Sequence, residues 1–243
     1  MKTKTVRGIP FADATAEEVL SYLLDASAAG RQFAVFTPNA EILQHAAEDE
    51  AFRQVLLSGD VIVADGVGVL RAAEILGKPL PEKIAGVELG ERLAGNTDFP
   101  VYFLGGKAGV AEEAAARLSE KYPRLRVAGC HDGYFTKIGA ENDLVLEAIR
   151  ASGAGVVFVS FGSPAQEEWI ADNREKLPDV RLLLGLGGSL DVYAGREKRA
   201  PAFLIRCRLE WLWRIVRHPS KIGRLFSALR LLRDARREAK QNK

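Results

Sequence analysis

Short apolar runs alternate with longer amphipathic segments along most of this chain, and this alternation restricts the possible folds more than any other feature. The apolar runs lie at 33–37, 61–64, 101–104, 125–130, 155–161 and 181–186. Segments with helical apolar periodicity lie before and between them, at 15–29, 40–48, 50–57, 67–76, 87–95, 108–121 and 140–151. Strands that alternate with helices predict a mostly parallel sheet with right-handed crossovers. We therefore predict an α/β protein with a Rossmann-like sheet flanked by helices.

The N-terminal residues and the composition add smaller expectations. Residues 5–11, interrupted by Gly8 and Pro10, are predicted to form a short edge strand with a turn. Apolar residues make up 47% of the chain and charged residues 27%, as in soluble globular proteins. The sequence opens without an apolar signal core, and Cys130 and Cys207 show no metal-ligand spacing, so we expect a cytoplasmic protein.

The charge of the chain is distributed unevenly, although its net charge is only +2. Residues 196–243 contain fifteen Lys or Arg and four Asp or Glu, a net charge of +11, which leaves −9 for residues 1–195. We predict that residues 1–195 form the Rossmann-like core and that residues 196–243 form a basic, amphipathic, helical appendage. Such a segment suits an anionic membrane surface or nucleic acid, and its tryptophans favour the membrane. A solvated helical tail is the third interpretation.

Polar and glycine residues follow several of the predicted strands. Because parallel strands end at one edge of a sheet, we expect these residues to converge there, where ligands bind in open α/β sheets. Glycine turns and helix N-termini at such an edge predict a nucleotide or another diphosphate. No dinucleotide fingerprint or P-loop is present, and no histidine or aspartate cluster indicates a metal, so we expect a site without metal or cofactor. The residues concerned are Thr37, Asn39, Asp65, Gly66, Gly105, Gly106, Gln166, Gly188 and Asp191.

Asp65 stands at the end of the apolar run 61–64, directly before Gly66. A carboxylate in this position is either a reacting group or a cap for the helix that follows. Local sequence does not decide between the two interpretations.

Several short motifs occur in a fixed order along the chain. Together they resemble the WecG/TagA/CpsF glycosyltransferase family over about residues 5–224. The motifs are Thr37-Pro38-Asn39-Ala40-Glu41, Ala64-Asp65-Gly66, Leu80-Pro81-Glu82-Lys83-Ile84-Ala85-Gly86, Gly133-Tyr134-Phe135, Gly162-Ser163-Pro164 with Gln166-Glu167, Gly187-Gly188 with Asp191, Arg199-Ala200-Pro201 and Leu209-Glu210-Trp211-Leu212.

The resemblance implies an inverting, metal-independent transfer of N-acetylmannosamine from a UDP donor to undecaprenyl-diphosphate-linked N-acetylglucosamine. It implies that Asp65 is the general base, with Thr37 and Asn39 beside it. It further implies that Tyr134 and Asp191 hold the nucleoside and that Gln166 matches the glutamine of a family motif. The appendage is implied to close over the site at the inner face of the cell membrane and to grip the lipid diphosphate. The residues implied in this contact are Arg214, Arg217 and Arg224, and Arg199 is a further implied substrate-binding residue.

The chain departs from the family pattern at three positions. Lys83 stands where arginine is usual, Glu88 where aspartate is usual, and Ala165 where lysine is usual. Lysine cannot form the bidentate contact that arginine makes with a phosphate, so a substrate-binding role for Lys83 follows less directly. The alternatives are the same fold with another UDP-sugar donor, such as mannosaminuronic acid or glucose, and a basic-tailed nucleic-acid-binding protein. Self-association is a further expectation, because undocking of the appendage would expose an apolar face.

Overall fold

The computed structural model describes residues 1–197, 201, 213 and 223–241. Within these ranges a hairpin precedes an alternation of strands and helices, and a long helix lies near the C-terminus. The strands are β1 (Thr3–Val6), β2 (Ile9–Ala12), β3 (Phe33–Phe36), β4 (Val61–Ile62), β5 (Val101–Gly105), β6 (Val127–His131), β7 (Val156–Ser160) and β8 (Leu182–Gly185). The helices are α1 (Ala16–Ala28), α2 (Ala40–Glu48), α3 (Glu50–Leu57), α4 (Val67–Ile75), α5 (Gly86–Asn96), α6 (Val110–Lys121), α7 (Ala140–Ala151), α8 (Ala165–Asn173), α9 (Ser189–Tyr193) and α10 (Gly223–Gln241).

Six strands form one parallel sheet in the order β4-β3-β8-β7-β5-β6. The predicted α/β class and parallel sheet are therefore confirmed. The chain leaves β3 toward β4 at one edge, whereas β8 pairs with the other side of β3. Loops after neighbouring strands thus diverge at this point, which is where open α/β sheets bind ligands.

The predicted strand with a turn at residues 5–11 is present, but it is part of two paired strands. These residues contribute to the antiparallel β1–β2 hairpin, a separate two-stranded sheet, and not to an edge strand of the main sheet. Arg7 and Gly8 form the turn, with φ values of 52° and 80°. Positive φ at both central residues is typical of the type I′ turn, which reverses the chain tightly and pairs its two flanks with each other.

Two predicted helix caps are confirmed. The Thr15 side chain accepts the backbone N–H of Glu18, while the Glu18 carboxylate accepts the backbone N–H of Thr15 at 2.7 Å, which completes a capping box. Asn39 Oδ1 accepts the backbone N–H groups of Glu41 and Ile42 at 2.8 and 3.1 Å. These local bonds fix where α1 and α2 begin.

The sheet is covered on both faces, which explains why its central strands are apolar throughout. Helices α1, α5, α6 and α9 pack on one face. Helices α2, α3, α4, α7 and α8 pack on the other face together with the hairpin and α10. Every residue of β5 and β7 is buried.

Helix α10 packs against α2 and α4 through Leu231 and Ala235, which are fully buried. The sequence predicts an apolar side that includes Phe226 and Leu229, but these two side chains are 59% and 55% exposed. The predicted helix is present, and at these two residues its apolar side does not pack on the core. The small side chains of Ala228 and Ala235 allow close approach, and Ala228 lies beside Gly68 of α4.

Candidate active site

A cleft of about 460 Å³ opens at the carboxyl ends of β3, β4, β7 and β8. The convergence of strand-end residues predicted from the sequence is therefore present at this edge of the sheet. Helix α10 contributes Ser227 to the wall, and α2 contributes a row of polar side chains. The predicted site residues that line the cleft are Thr37, Asn39, Asp65, Gln166 and Gly188.

Asp65 is half-buried on the cleft wall. Its backbone N–H donates to the Pro38 carbonyl at 3.1 Å, which ties the end of the β4 segment to the loop after β3. Its Oδ2 accepts the backbone N–H of Gly86, the first residue of α5, at 3.2 Å. The next helix, α4, has Gly66 as its N-cap and no side-chain cap bond. The Asp65 carboxylate thus lies on the cleft wall and is oriented by the N-terminus of α5.

The loop after β8 is held by polar side chains from three neighbouring elements. Thr37 Oγ1 donates to the Gly185 carbonyl at 3.1 Å. Gln166 Oε1 accepts the backbone N–H of Gly187 at 2.7 Å, and the Ser160 hydroxyl donates to the Gly187 carbonyl. Since Thr37, Ser160 and Gln166 are all buried, these bonds form in a low-dielectric environment and fix the loop firmly.

Sequence reasoning missed Ser160 and the role of Glu167, whose side chain accepts the Gln166 Nε2–H at 2.8 Å. The available signal for Ser160 is a hydroxyl residue at the end of an otherwise apolar strand. For Glu167 it is a carboxylate beside a glutamine in the first turn of α8. Neither pattern specifies the partner, because Gly187 is supplied by a different strand.

Other predicted residues do not line the cleft. Gly105 ends β5 next to Ser160, and Gly106 follows it; a Cβ on Gly105 would collide with the Ser160 backbone. Glycine at this position therefore permits close strand packing. The Gly106 carbonyl accepts the backbone N–H of Gly133, and the neighbouring Tyr134 is 74% exposed.

Three further predicted residues, Gly66, Lys83 and Asp191, lie near the cleft but outside its lining. The Asp191 carbonyl accepts backbone N–H groups of Arg196 and Glu197, which shapes the turn after α9. Arg199, Arg214 and Arg217 lie outside the described residues. Arg224 falls within α10, but its side chain is outside what the structure describes.

The described lining of the cleft is acidic. It contains Glu41, Glu48, Asp65 and Glu197, and among the described lining residues there is no lysine or arginine. Hydrogen bonds from Gln44 and from Arg230 of α10 lower the pKa of Glu48. The acidic wall of α2 thus contacts a basic helix, with Arg230 Nη1 at 3.2 Å from Glu48 Oε1.

Two ion pairs and the buried Leu231 hold α10 over this region. Besides the Arg230–Glu48 pair, Arg7 in the hairpin turn pairs with Glu238 at 2.7 Å. The hairpin at the N-terminus of the chain therefore supports the helix that contributes Ser227 to the cleft.

No group of three or more His, Cys, Asp or Glu side chains in the part of the chain that the structure describes could hold a metal ion. No helix within it combines the length and apolar character needed to cross a membrane.

The chain is similar to a set of bacterial enzymes named N-acetylglucosaminyldiphosphoundecaprenol N-acetyl-beta-D-mannosaminyltransferase. It is 35% identical to the Bacillus spizizenii enzyme over 93% of this chain and 88% of the relative. It is 31% identical to the Bacillus subtilis enzyme over 100% and 94% of the two chains. It is 35% identical to a Staphylococcus aureus enzyme over 79% and 75%. The model of the glycosyl transferase WecG/TagA/CpsF family matches residues 4–243. On this match, which covers nearly the whole chain, the protein belongs to the WecG/TagA/CpsF family and is a glycosyltransferase.

Proposed function

We propose that the protein transfers N-acetylmannosamine from UDP-N-acetylmannosamine to undecaprenyl-diphosphate-linked N-acetylglucosamine, with Asp65 as the general base. The observation that carries the proposal is the position of Asp65, whose carboxylate lies on the wall of the strand-end cleft. The names of the relatives support the acceptor and the transferred sugar.

In the proposed reaction the Asp65 carboxylate takes the proton of an acceptor hydroxyl as that oxygen attacks the anomeric carbon of the donor. The new carbon–oxygen bond forms on the face opposite the bond to UDP, which breaks in the same displacement, so the configuration at the anomeric carbon inverts. UDP leaves with the bonding electron pair. The bond from Gly86 N–H to Asp65 Oδ2 orients the carboxylate for this step.

The leaving diphosphate and the lipid diphosphate both need positive charge, and the described cleft wall is acidic. We propose that arginines of the C-terminal segment supply this charge in place of a metal ion. The net charge of +11 on residues 196–243 supports this assignment. The residues concerned are Arg199, Arg214, Arg217 and Arg224, and Lys83, three residues before Gly86, is proposed to contact the donor on the side of the base.

We also propose that α10 docks on an anionic membrane surface. Phe226 and Leu229 are exposed on the face that points away from α2 and α4, and Arg233, Arg236 and Arg237 are exposed on the same helix. A helix that presents apolar and basic side chains together is suited to the membrane interface, where each Lys or Arg contributes roughly 1 kcal/mol. Ser227 lies between the two apolar residues in sequence and lines the cleft, so docking would bring the cleft to the lipid-linked acceptor.

The experiment that tests the reaction is a donor screen with a short-chain diphosphate-linked N-acetylglucosamine acceptor, analysed by mass spectrometry. We expect UDP-N-acetylmannosamine to add the mass of one N-acetylhexosamine to the acceptor. UDP-glucose should add no hexose. Preferential transfer of glucose or of mannosaminuronic acid would refute the proposed donor. Full activity after chelation with EDTA is expected, and its loss with recovery on adding Mg²⁺ would refute metal independence.

The membrane proposal is tested by titration with vesicles containing phosphatidylglycerol and, at the same salt concentration, with duplex DNA. We expect vesicle binding that the double substitution F226E/L229E weakens at least tenfold. Leu144 is also an exposed apolar residue, on α7, and L144E is the matched control that should bind normally. Tight DNA binding without vesicle binding would contradict the proposal.

A further inference from the structure

Glu167 is a buried carboxyl group at the back of the cleft, in contact with the side chain of Gln166. Its side chain is 1% exposed, in the first turn of α8. Its Oε2 is buried and accepts no hydrogen bond from the residues that the structure describes. Burying a carboxyl oxygen without a hydrogen-bond partner costs free energy, so a carboxyl group at this position is expected to have a specific role.

The reason lies in the bonds that connect Glu167 to the cleft. Gln166 Nε2 donates to Glu167 Oε1 at 2.8 Å, and Gln166 Oε1 accepts the Gly187 N–H at 2.7 Å. An amide side chain has one accepting end and one donating end. If it were flipped, its oxygen would face the carboxyl oxygen and its NH₂ would face the Gly187 N–H. The two bonds therefore permit only one orientation of the amide.

We propose that Glu167 is a positioning residue: its carboxyl oxygen fixes the Gln166 amide, and the amide fixes the Gly187–Gly188 loop that lines the cleft. Gln166 and Gly187 both line the cleft, whereas Glu167 stands behind Gln166. The effect of Glu167 thus passes through Gln166. The inference rests on the proposed function only where sugar transfer is the readout.

Burial raises the pKa of Glu167, while the hydrogen bond from Gln166, and smaller contributions from the Ser163 side chain and from the backbone of Glu167 itself, act in the opposite direction. Glu168, which is exposed on the same helix, acts on Glu167 as a nearby like charge. A carboxyl group with a raised pKa binds its proton more tightly in the folded than in the unfolded protein. Its contribution to stability is present at low pH and is lost as the pH rises from the unfolded pKa through the folded pKa.

Two substitutions at Glu167 separate the accepting atom from the charge. E167Q keeps an accepting oxygen for Gln166 and removes the ionisation. E167M keeps a similar side-chain volume and removes the acceptor, and methionine adapts well to buried positions. E168Q removes the neighbouring, exposed carboxylate and is the matched control.

Hydrogen exchange of the Gly187 amide is the readout that does not depend on activity. We expect exchange to be at least tenfold faster in E167M than in the wild type, and unchanged within twofold in E167Q and E168Q. Turnover at saturating donor and acceptor should follow the same order, with at least a tenfold loss in E167M. In the wild type and in E168Q, the unfolding free energy should fall as the pH rises from the unfolded pKa of Glu167 through its folded pKa. E167Q should lack this fall, because it has no carboxyl group at this position.

The proposal is overturned if E167M leaves both the Gly187 exchange and turnover at wild-type values. It is equally overturned if E167Q is impaired as strongly as E167M, since the accepting atom would then not be what matters. If the wild type transfers none of the donor sugars tested, the proposed function fails, and the Gly187 exchange still decides the role of Glu167.

Discussion

Replacement of Asp65 by asparagine tests the proposed base most directly. The structure predicts that the fold tolerates this change, because an asparagine oxygen can accept the Gly86 N–H as Asp65 Oδ2 does. The amide cannot accept the proton of an acceptor hydroxyl. General-base assistance typically contributes about 10²- to 10⁴-fold to the rate. At 1.36 kcal/mol for each factor of ten, this corresponds to a rise of about 2.7 to 5.4 kcal/mol in the activation barrier.

Asp60 offers a matched control at the opposite end of the same strand. Its Oδ2 accepts the Ala34 N–H at 2.8 Å and pairs with Arg174 at 2.7 Å, and Asp60 does not line the cleft. Asparagine at this position keeps an acceptor for Ala34 and loses the ion pair. D60N should therefore lower the melting temperature slightly and leave turnover unchanged.

The assay measures turnover at saturating donor and acceptor, together with UDP-sugar affinity by calorimetry and the melting temperature. For D65N we expect wild-type donor affinity, a melting temperature close to that of the wild type and turnover lowered at least a hundredfold. Turnover within threefold of the wild type would refute the role of Asp65 as base. A loss of turnover in D60N as large as that in D65N would show that the effect comes from strand β4 and not from the cleft carboxylate.

Three further predictions concern stability and reactivity. Leu231 is fully buried where α10 meets α2 and α4, so L231A should weaken the docking of α10 by about 2–5 kcal/mol. Hydrogen exchange across 223–241 should become faster, and unchanged exchange would contradict this docking. Thr15 caps α1, so T15A should lower the unfolding free energy by about 1 kcal/mol in urea titrations, whereas T5A, outside any cap, should not. Burial raises the pKa of Cys130 to about 11. At pH 8 its alkylation by iodoacetamide, followed by peptide mapping, should therefore be about a hundredfold slower than that of a thiol with a pKa near 9. Equal rates would contradict the raised pKa.

Features set by near neighbours in sequence are predictable from the sequence. The caps at Thr15 and Asn39 are bonds between residues two or three apart, and both were predicted correctly. The bounds of α2, α3 and α7 also match, because apolar periodicity and flanking residues define them. The turn at residues 5–11 was predicted, but the tight pairing of its two flanks was not, because that pairing depends on positive φ at Arg7, which the identity of an arginine does not indicate.

The predicted site depends on strand order, and only part of it follows from sequence. The principle that parallel strands end at one edge places Thr37, Asn39, Asp65, Gln166 and Gly188 together, as observed. It does not state that β3 pairs with β8, or that β5 and β6 lie beyond β7. For this reason the same principle also selected Gly105 and Gly106, which end a strand outside the cleft.

The sequence alone thus determined the α/β class, the helix caps and a set of strand-end residues, because periodicity and capping act over a few residues. Only the tertiary structure decided which partners those residues have. Asp65 meets Gly86 twenty-one residues later, and Gln166 meets Gly187 from another strand. Such contacts depend on the order β4-β3-β8-β7-β5-β6, which is fixed by packing of the whole core and is not written in any local segment. The same packing buries Leu231 and leaves Phe226 exposed on a different side of the same helix.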